Sequence, residues 1–334
     1  MTSVRILSSD DVATVATPEE YVDAVRRGYV DRGNGAPAKP RMALFRDDPS
    51  GMLTTYAAIL PETGAMGGYM YSAGFDADDG WFLTPVFDAE SGELEAIVDG
   101  ASFNPYKTGA VGAVAVDALS RNDASVVGVF GSGPQARGQL KTTATVRDLE
   151  SVRVFSPTEA HRDSFAEEMD SYLSASVSAV GSPEAVLEDV DIVITATNAT
   201  EPVFDGSRLP DGAHVTAMGQ YHPEKRELDE VTIGRSTYVL DLRERLGQDT
   251  GSFNHALESG TVTDDHLHGE LGDVLVGTVP GRTDPDDVTV FDSGGTAIET
   301  VAAAQMLFER AEEAGLGTVV EFAPGSEGLT ARQV

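Results

Sequence analysis

The most restrictive feature of this chain is a buried-strand run that ends on a glycine turn. Ser125-Val126-Val127-Gly128-Val129-Phe130 is followed directly by Gly131-Ser132-Gly133-Pro134-Gln135-Ala136, a G-x-G-x-x-A pattern. The first glycine permits a tight strand-to-helix turn, the second lets a phosphate approach the backbone, and Ala136 permits close packing of helix on strand. The helix that starts there offers unpaired N–H groups to an anion. Alone, such a pattern is weak. Here strand, turn and helix are in register, and a second strand, Val152-Arg153-Val154-Phe155, follows about twenty residues on. The expectation is a Rossmann-type sheet that binds a dinucleotide at the turn Gly131, Gly133 and Pro134.

Other runs fit that fold. Ser151–Phe155, Asp191–Thr195, His214–Ala217, Tyr238–Leu240 and Val288–Phe291 alternate with helical stretches, which implies parallel βαβ units. The first third has a different texture. Thr17–Arg32 carries Val22, Val25 and Tyr29 at helical spacing, and a Gly/Pro/Ala linker, Gly33–Ala38, follows. Met52–Ile59, Gly67–Ala73, Phe82–Asp88 and Leu94–Val98 are separated by turn signals and read as a mostly antiparallel sheet. Gly109–Leu119 is a small-residue helix, and Ala297–Ala314 is a long apolar-faced helix able to pack back on the first third. The expected class is α/β: a doubly wound parallel sheet, 113–299, inserted into a discontinuous α+β domain, 1–112 plus 300–334.

Composition bounds the partners. The chain has 334 residues, 41 % of them hydrophobic, with 55 acidic against 23 basic residues and a net charge of −32. That is enough apolar surface for a core, unlike a disordered chain of similar charge. The acidity excludes nucleic acid, which needs a basic face, and disfavours anionic membrane surfaces. No run approaches the roughly 18 apolar residues of a membrane span, and Met1–Ile6 lacks a signal-type apolar region. A cytoplasmic location is expected. Without cysteine there is no thiolate nucleophile or Cys-ligated metal. The close pair His266 and His268 lies in a stretch that reads as a loop running into a helix, and no metal site is expected. Only Lys39, Lys107, Lys141 and Lys225 are lysines. Dispersed acidity with few lysines reads as adaptation to a salt-loaded cytoplasm, where repulsion is screened over about 3 Å at 1 M salt.

The end of the second Rossmann strand selects the cofactor. An NAD-preferring site usually places Asp or Glu there for the ribose 2′-hydroxyl. This chain has Ser156, then Pro157-Thr158-Glu159, with His161 and Arg162 nearby. Hydroxyls and an arginine suit a 2′-phosphate, so NADP(H) is favoured; Glu159 keeps NAD(H) open.

Three blocks carry a more specific signal. They are Lys107-Thr108-Gly109-Ala110 through Leu119–Ala124 to the glycine turn, Gly219-Gln220-Tyr221-His222-Pro223-Glu224-Lys225-Arg226-Glu227-Leu228, and Phe291-Asp292-Ser293-Gly294-Gly295-Thr296-Ala297. Together they resemble the ornithine cyclodeaminase/mu-crystallin family. The resemblance implies dimerisation through the first domain, a nicotinamide cofactor held between domains, and action on small amino or imino acids. It implies that Arg41 clamps the substrate carboxylate, a task suited to a guanidinium fork. Lys107 stands where relatives usually place an arginine that touches substrate and cofactor. Thr84, Thr108, Gln135, Thr197, Met218, Lys225 and Ser293 fall at dinucleotide-contacting positions.

The pattern also breaks. The family's catalytic lysine is expected within Gly67–Ser72, where Tyr69 or Met70 stands instead. The cyclodeaminase aspartate is expected in Gly219–His222, where Tyr221 takes its place beside His222. Thr300 stands where relatives often carry Asp. A Tyr of pKa near 10 is a poor base but a serviceable proton donor, and His222 can protonate a nitrogen during reduction. These losses disfavour cyclodeamination and spare hydride transfer. The leading expectation is an NAD(P)H-dependent imino-acid reductase with Tyr221 or His222 as proton source. A redox-neutral ornithine cyclodeaminase and a low-turnover NADP(H)-binding protein are the alternatives.

Overall fold

The computed structural model describes residues 2–77, 79–219 and 221–330, the last three by backbone alone. Gln220 of the second family block and the end of the segment 300–334 lie outside them. The chain forms two compact units, Met1–Asn104 with Ala297–Val334, and Pro105–Thr296. The boundaries expected at 112/113 and 299/300 fall at 104/105 and 296/297. The helix Asn104–Leu119 lies in the second unit but for its first residue, and Ala297–Ala314 lies whole in the first.

Six strands precede the second unit: β1 (Thr2–Leu7), β2 (Ala38–Asp47), β3 (Ser50–Leu60), β4 (Ala65–Gly74), β5 (Trp81–Asp88) and β6 (Leu94–Asp99). Eight follow inside it: β7 (Val126–Phe130), β8 (Ser151–Phe155), β9 (Ser176–Ala179), β10 (Ile192–Thr195), β11 (His214–Ala217), β12 (Ser236–Leu240), β13 (Leu267–Glu270) and β14 (Val288–Asp292). The last strand is β15 (Thr318–Phe322).

The first unit is a seven-stranded sheet in the order β15-β1-β6-β5-β4-β3-β2, antiparallel except for the β1–β6 pair. Strict alternation explains its two faces. Along β3, Thr54, Tyr56, Ala58 and Leu60 are buried while Leu53, Ala57 and Ile59 are exposed. The helix Pro18–Gly33 starts on a Thr17–Glu20 capping box with Pro18 in its first turn. It packs against Ala297–Ala314, which also covers β3 and β4. Strand β2 begins inside the segment read as a linker. Its pairing with β3 shifts register between Lys39 and Met42, a bulge at Pro40-Arg41. Pro40 cannot donate to a ladder, which is why this stretch does not read as a strand.

The second unit is an eight-stranded, wholly parallel sheet in the order β13-β12-β14-β11-β10-β7-β8-β9. Strand β7 lies between β8 and β10, so the strand order reverses at its carboxyl end, where α/β sheets hold ligands. Two strands were not expected. The stretch holding His266 and His268 forms a short 3-10 turn, Asp264–His266, and then edge strand β13 rather than a loop leading straight into a helix. β9 is the opposite edge. Both are four residues long, and only a neighbouring strand makes such a run pair. No helix among the described residues is long and apolar enough to cross a membrane.

Candidate active site

The glycine turn forms as its residue types require. Gly131 has φ of 112°, and a Cβ there would stand 2.3 Å from Ala196 O. Its N–H donates to Phe155 O at 2.9 Å, tying β7 to β8. Gly133 is the N-cap of the helix Pro134–Thr143, and no side chain caps that end. A Cβ at Gly133 would meet no protein atom within 4 Å. Gln135 Oε1 is buried without a hydrogen-bond partner among the described residues. An uncapped helix N-terminus and an open approach over Gly133 fit the pyrophosphate of a dinucleotide.

The next turn carries the ribose end. Ser156 is buried at the end of β8, and Ser132 Oγ donates to Ser156 Oγ at 3.0 Å. Arg162 Nη1 donates to Ser156 O at 3.1 Å while its guanidinium lies 5.9 Å from the Phe155 ring centre. Glu159 and His161 are exposed. Two hydroxyls and a cation therefore stand where a carboxylate would stand in an NAD-preferring site.

Beyond the turn, Thr197, Met218 and Ser293 follow β10, β11 and β14 at the same edge of the sheet. Glu227 is buried and accepts Thr195 Oγ1, Thr197 N and Thr197 Oγ1, each at 2.7 Å, and Gly219 N at 2.8 Å. Burial pushes its carboxyl up, against the pull of these donors. Tyr221 is 37 % exposed and donates to Asn198 Oδ1 at 2.9 Å. Lys225 Nζ donates to Asn198 O at 2.7 Å and lies 5.8 Å from the Tyr221 ring centre. His222 Nδ1 accepts Glu224 N at 3.2 Å, so one ring nitrogen is occupied within its own loop.

Ser293 belongs to a buried ionic cluster. Its Oγ donates to Asp241 Oδ2 at 2.8 Å, and the Gly294 N–H to the same oxygen at 3.0 Å. Arg245 meets Asp241 at 2.5 Å, Asp249 at 2.7 Å and Asp292 at 3.3 Å. Tyr238 donates to Asp292 at 2.5 Å, and burial pushes the Asp292 carboxyl up to about 7. The cluster fixes the Ser293-Gly294-Gly295 turn by its side-chain and backbone donors at once.

Lys107 is 2 % exposed in the helix Asn104–Leu119, and Gln139 Nε2 donates to Thr108 O at 2.7 Å. Arg41 and Thr84 belong to the first unit. The bulge carries Arg41, whose guanidinium lies 5.7 Å from the Tyr56 ring centre. Burial drives the Tyr56 phenol far above its usual range, with Arg41 opposing and Glu299 adding to the rise. Tyr29 donates to buried Glu299 at 3.1 Å. Thr84 Oγ1 is buried without a hydrogen-bond partner among the described residues. Of the two candidates for the family lysine's place, Tyr69 is buried, stacks on Phe82 with ring centres 5.6 Å apart and donates to Gly100 O at 3.0 Å. Met70 points to the other, exposed face.

Within the second unit the structure thus gathers the turn residues Gly131–Gln135, Ser156, Arg162, Thr197, Met218, Tyr221, His222, Lys225 and Ser293 at the carboxyl ends of one parallel sheet. Sequence reasoning passed over Glu227 and Asp241 as site residues. Glu227 lay inside a quoted block, and an acidic residue immediately before a buried Leu228 was the available signal.

A parallel, doubly wound sheet with this turn defines a dinucleotide-binding protein of the Rossmann class. The sequence profile of the ornithine cyclodeaminase/mu-crystallin family matches residues 4–315. The chain belongs to this family. A delta(1)-pyrroline-2-carboxylate reductase from Bacillus cereus is 32 % identical over 241 residues, 72 % of this chain and 74 % of that protein. The solved structure of the Thermococcus litoralis delta(1)-pyrroline-2-carboxylate reductase in complex with NADH and L-proline matches with a TM-score of 0.89 at 29 % identity. It covers 95 % of this chain and all of that one. An archaeal alanine dehydrogenase dimer with bound NAD also matches at 0.89, with 26 % identity over 96 % of this chain and 100 % of that one.

Proposed function

We propose that the protein is an NAD(P)H-dependent reductase of a small imino acid, running in reverse as an amino-acid dehydrogenase. The observation that carries this reading is the bare Gly133 N-cap where the strand order reverses. The pyrroline-carboxylate reductases similar to the chain support the substrate class. When bound, the reduced nicotinamide supplies hydride to the imine carbon. Arg41 and Lys107 are assigned the substrate carboxylate, Arg41 in a fork set by its bulge and Tyr56. Tyr221 or His222 is assigned the proton that the nitrogen gains. Tyr221, held by Asn198, stands where a cyclodeaminase needs a carboxylate base, which weighs for reduction over ammonia displacement.

The test follows NADPH and NADH absorbance in molar salt with 1-pyrroline-2-carboxylate, 1-piperideine-2-carboxylate, and pyruvate plus ammonia. L-ornithine with NAD⁺ runs beside it, scored for ammonia. Oxidation of a reduced cofactor by an imino acid supports the reductase. Ammonia from ornithine with silent imines replaces it by the cyclodeaminase, and silence throughout with tight cofactor binding leaves a binding protein.

The favoured cofactor is NADP(H), on the strength of Ser132, Ser156 and Arg162. Arg162→Ala is expected to lower the NADPH-over-NADH preference in kcat/KM by about 10-fold or more, since a charge-assisted phosphate contact contributes about 1.5–3 kcal/mol. An unchanged ratio would remove Arg162 from the 2′-phosphate.

We also infer a homodimer through the first unit. Register places Met42, Leu44, Leu53, Met70, Trp81 and Leu83 on one face of its sheet, and all are exposed, Trp81 by 75 %. A patch of this kind on a soluble chain marks an interface, and a second copy can supply the same patch. Trp81→Asp is expected to halve the mass seen by light scattering; a variant of unchanged mass would move the interface elsewhere. The dispersed negative charge supports a salt-loaded cytoplasm as the working environment.

A further inference from the structure

Glu227 has no role in the chemistry above, yet it accepts four hydrogen bonds at this edge of the sheet. Strands β10 and β11 are parallel neighbours, with Thr195 opposite Ala217. The chain leaves each of them in a separate turn, one carrying Thr197 and the other Met218 and Gly219. The Glu227 side chain enters between these turns. Its Oε1 accepts both the backbone and the hydroxyl of Thr197, and its Oε2 accepts the Thr195 hydroxyl and the Gly219 N–H. The turns are drawn together closely: a Cβ on Gly219 would stand 2.4 Å from the Glu227 carboxyl carbon and 2.6 Å from Thr197 O.

The same segment grips the first turn twice more. Arg226 N donates to Ala199 O at 3.1 Å, and Val203 N donates to Glu227 O at 2.9 Å. Burying a carboxylate is expensive unless donors surround it, and a residue needed only to fill space would be apolar. An ionised acid is the side chain that can accept four donors at once. The position matters as much as the number. One half of a doubly wound sheet takes the pyrophosphate and adenosine at β7 and β8, so the other half receives the second nucleotide at β10, β11 and β14.

We propose that Glu227 is a positioning residue that sets the spacing of the turns after β10 and β11, and thereby the seat of the nicotinamide half of the cofactor. This rests on the nicotinamide reading above.

Glu227→Gln tests it selectively. An amide oxygen can still accept the two Thr197 donors, and the Thr195 hydroxyl can rotate to accept from the new NH₂. The Gly219 N–H cannot reverse, and is left facing another donor. The link to the β11 turn is cut while the side-chain volume is kept. Two ligands are titrated: the reduced cofactor that the wild type prefers, and its adenosine half alone (2′,5′-ADP for NADPH, ADP for NADH). The expected result is a Kd for the whole cofactor raised about 10-fold or more, with the adenosine half bound within about twofold of wild type. Thr195→Val removes one donor and keeps the charge; it reads the same split on a smaller scale if the amide variant does not fold. Equal losses for both ligands, or no loss for either, would overturn the proposal. A wild type that binds neither reduced cofactor would instead overturn the nicotinamide reading itself.

Discussion

Arg41→Ala is expected to lower kcat/KM for an imino acid on the order of 10²–10³-fold. Truncating one partner of a desolvated, hydrogen-bonded charge pair costs about 2–5 kcal/mol, and 1.36 kcal/mol is tenfold. On the proposed reading Arg41 supplies the first unit's cation to the substrate, because Tyr69 or Met70 stands where the family has lysine. The loss should fall mainly on KM, since the carboxylate is held alike in ground and transition states. Arg41→Lys should recover only part of it, as the charge returns without the fork. Cofactor affinity, measured by fluorescence titration, should stay within about twofold. A kcat/KM for Arg41→Ala within threefold of wild type would take Arg41 out of the substrate site.

Gly133→Val is expected to weaken cofactor binding more than about 100-fold while leaving the protein folded. The backbone at Gly133 is extended, with φ of −85°, so a branched residue is tolerated there, and its Cβ would meet no protein atom. That side chain would instead occupy the approach of the pyrophosphate to the helix N-terminus. Losing two or more charge-assisted bonds of about 1.5–3 kcal/mol each accounts for the size of the effect. Helix capping suffers little, about 0.5–1 kcal/mol, equivalent to a melting-temperature drop of roughly 1–4 °C. Gly131→Val is the contrasting control. At φ of 112° and 2.3 Å from Ala196 O, it should fail to fold rather than merely fail to bind. If Gly133→Val binds NADPH and NADH as the wild type does, the pyrophosphate does not lie over this turn.

Much of the second unit was legible because its signals are local. Strand β8 and the strand His214–Ala217 coincide with the apolar runs read from the chain, and β7 and β14 differ by one residue. Buried parallel strands are continuous apolar runs bounded by turns, and such runs announce themselves. The helix Ala297–Ala314 was equally plain. Edge strands were not, since β9 and β13 are polar, short and held only by a neighbour far away in sequence. Strand β2 was hidden by Pro40 and by the bulge that carries Arg41.

Of the site, the glycine turn, Ser156 and Arg162 followed from residue type and spacing alone. Their chemistry depends on backbone conformation within a few residues: a positive φ, an uncapped helix end, a hydroxyl at a strand end. The family likeness supplied Arg41, Lys107 and the scattered contacts, which no spacing rule would have joined. Folding alone settled the rest. Glu227 becomes a fourfold acceptor only because β10 and β11 pair in one register, and Asp241, just past the end of β12, meets Ser293 from more than fifty residues earlier. A sequence encodes the local turn directly, whereas a buried carboxylate is defined by donors that long-range strand pairing brings to it.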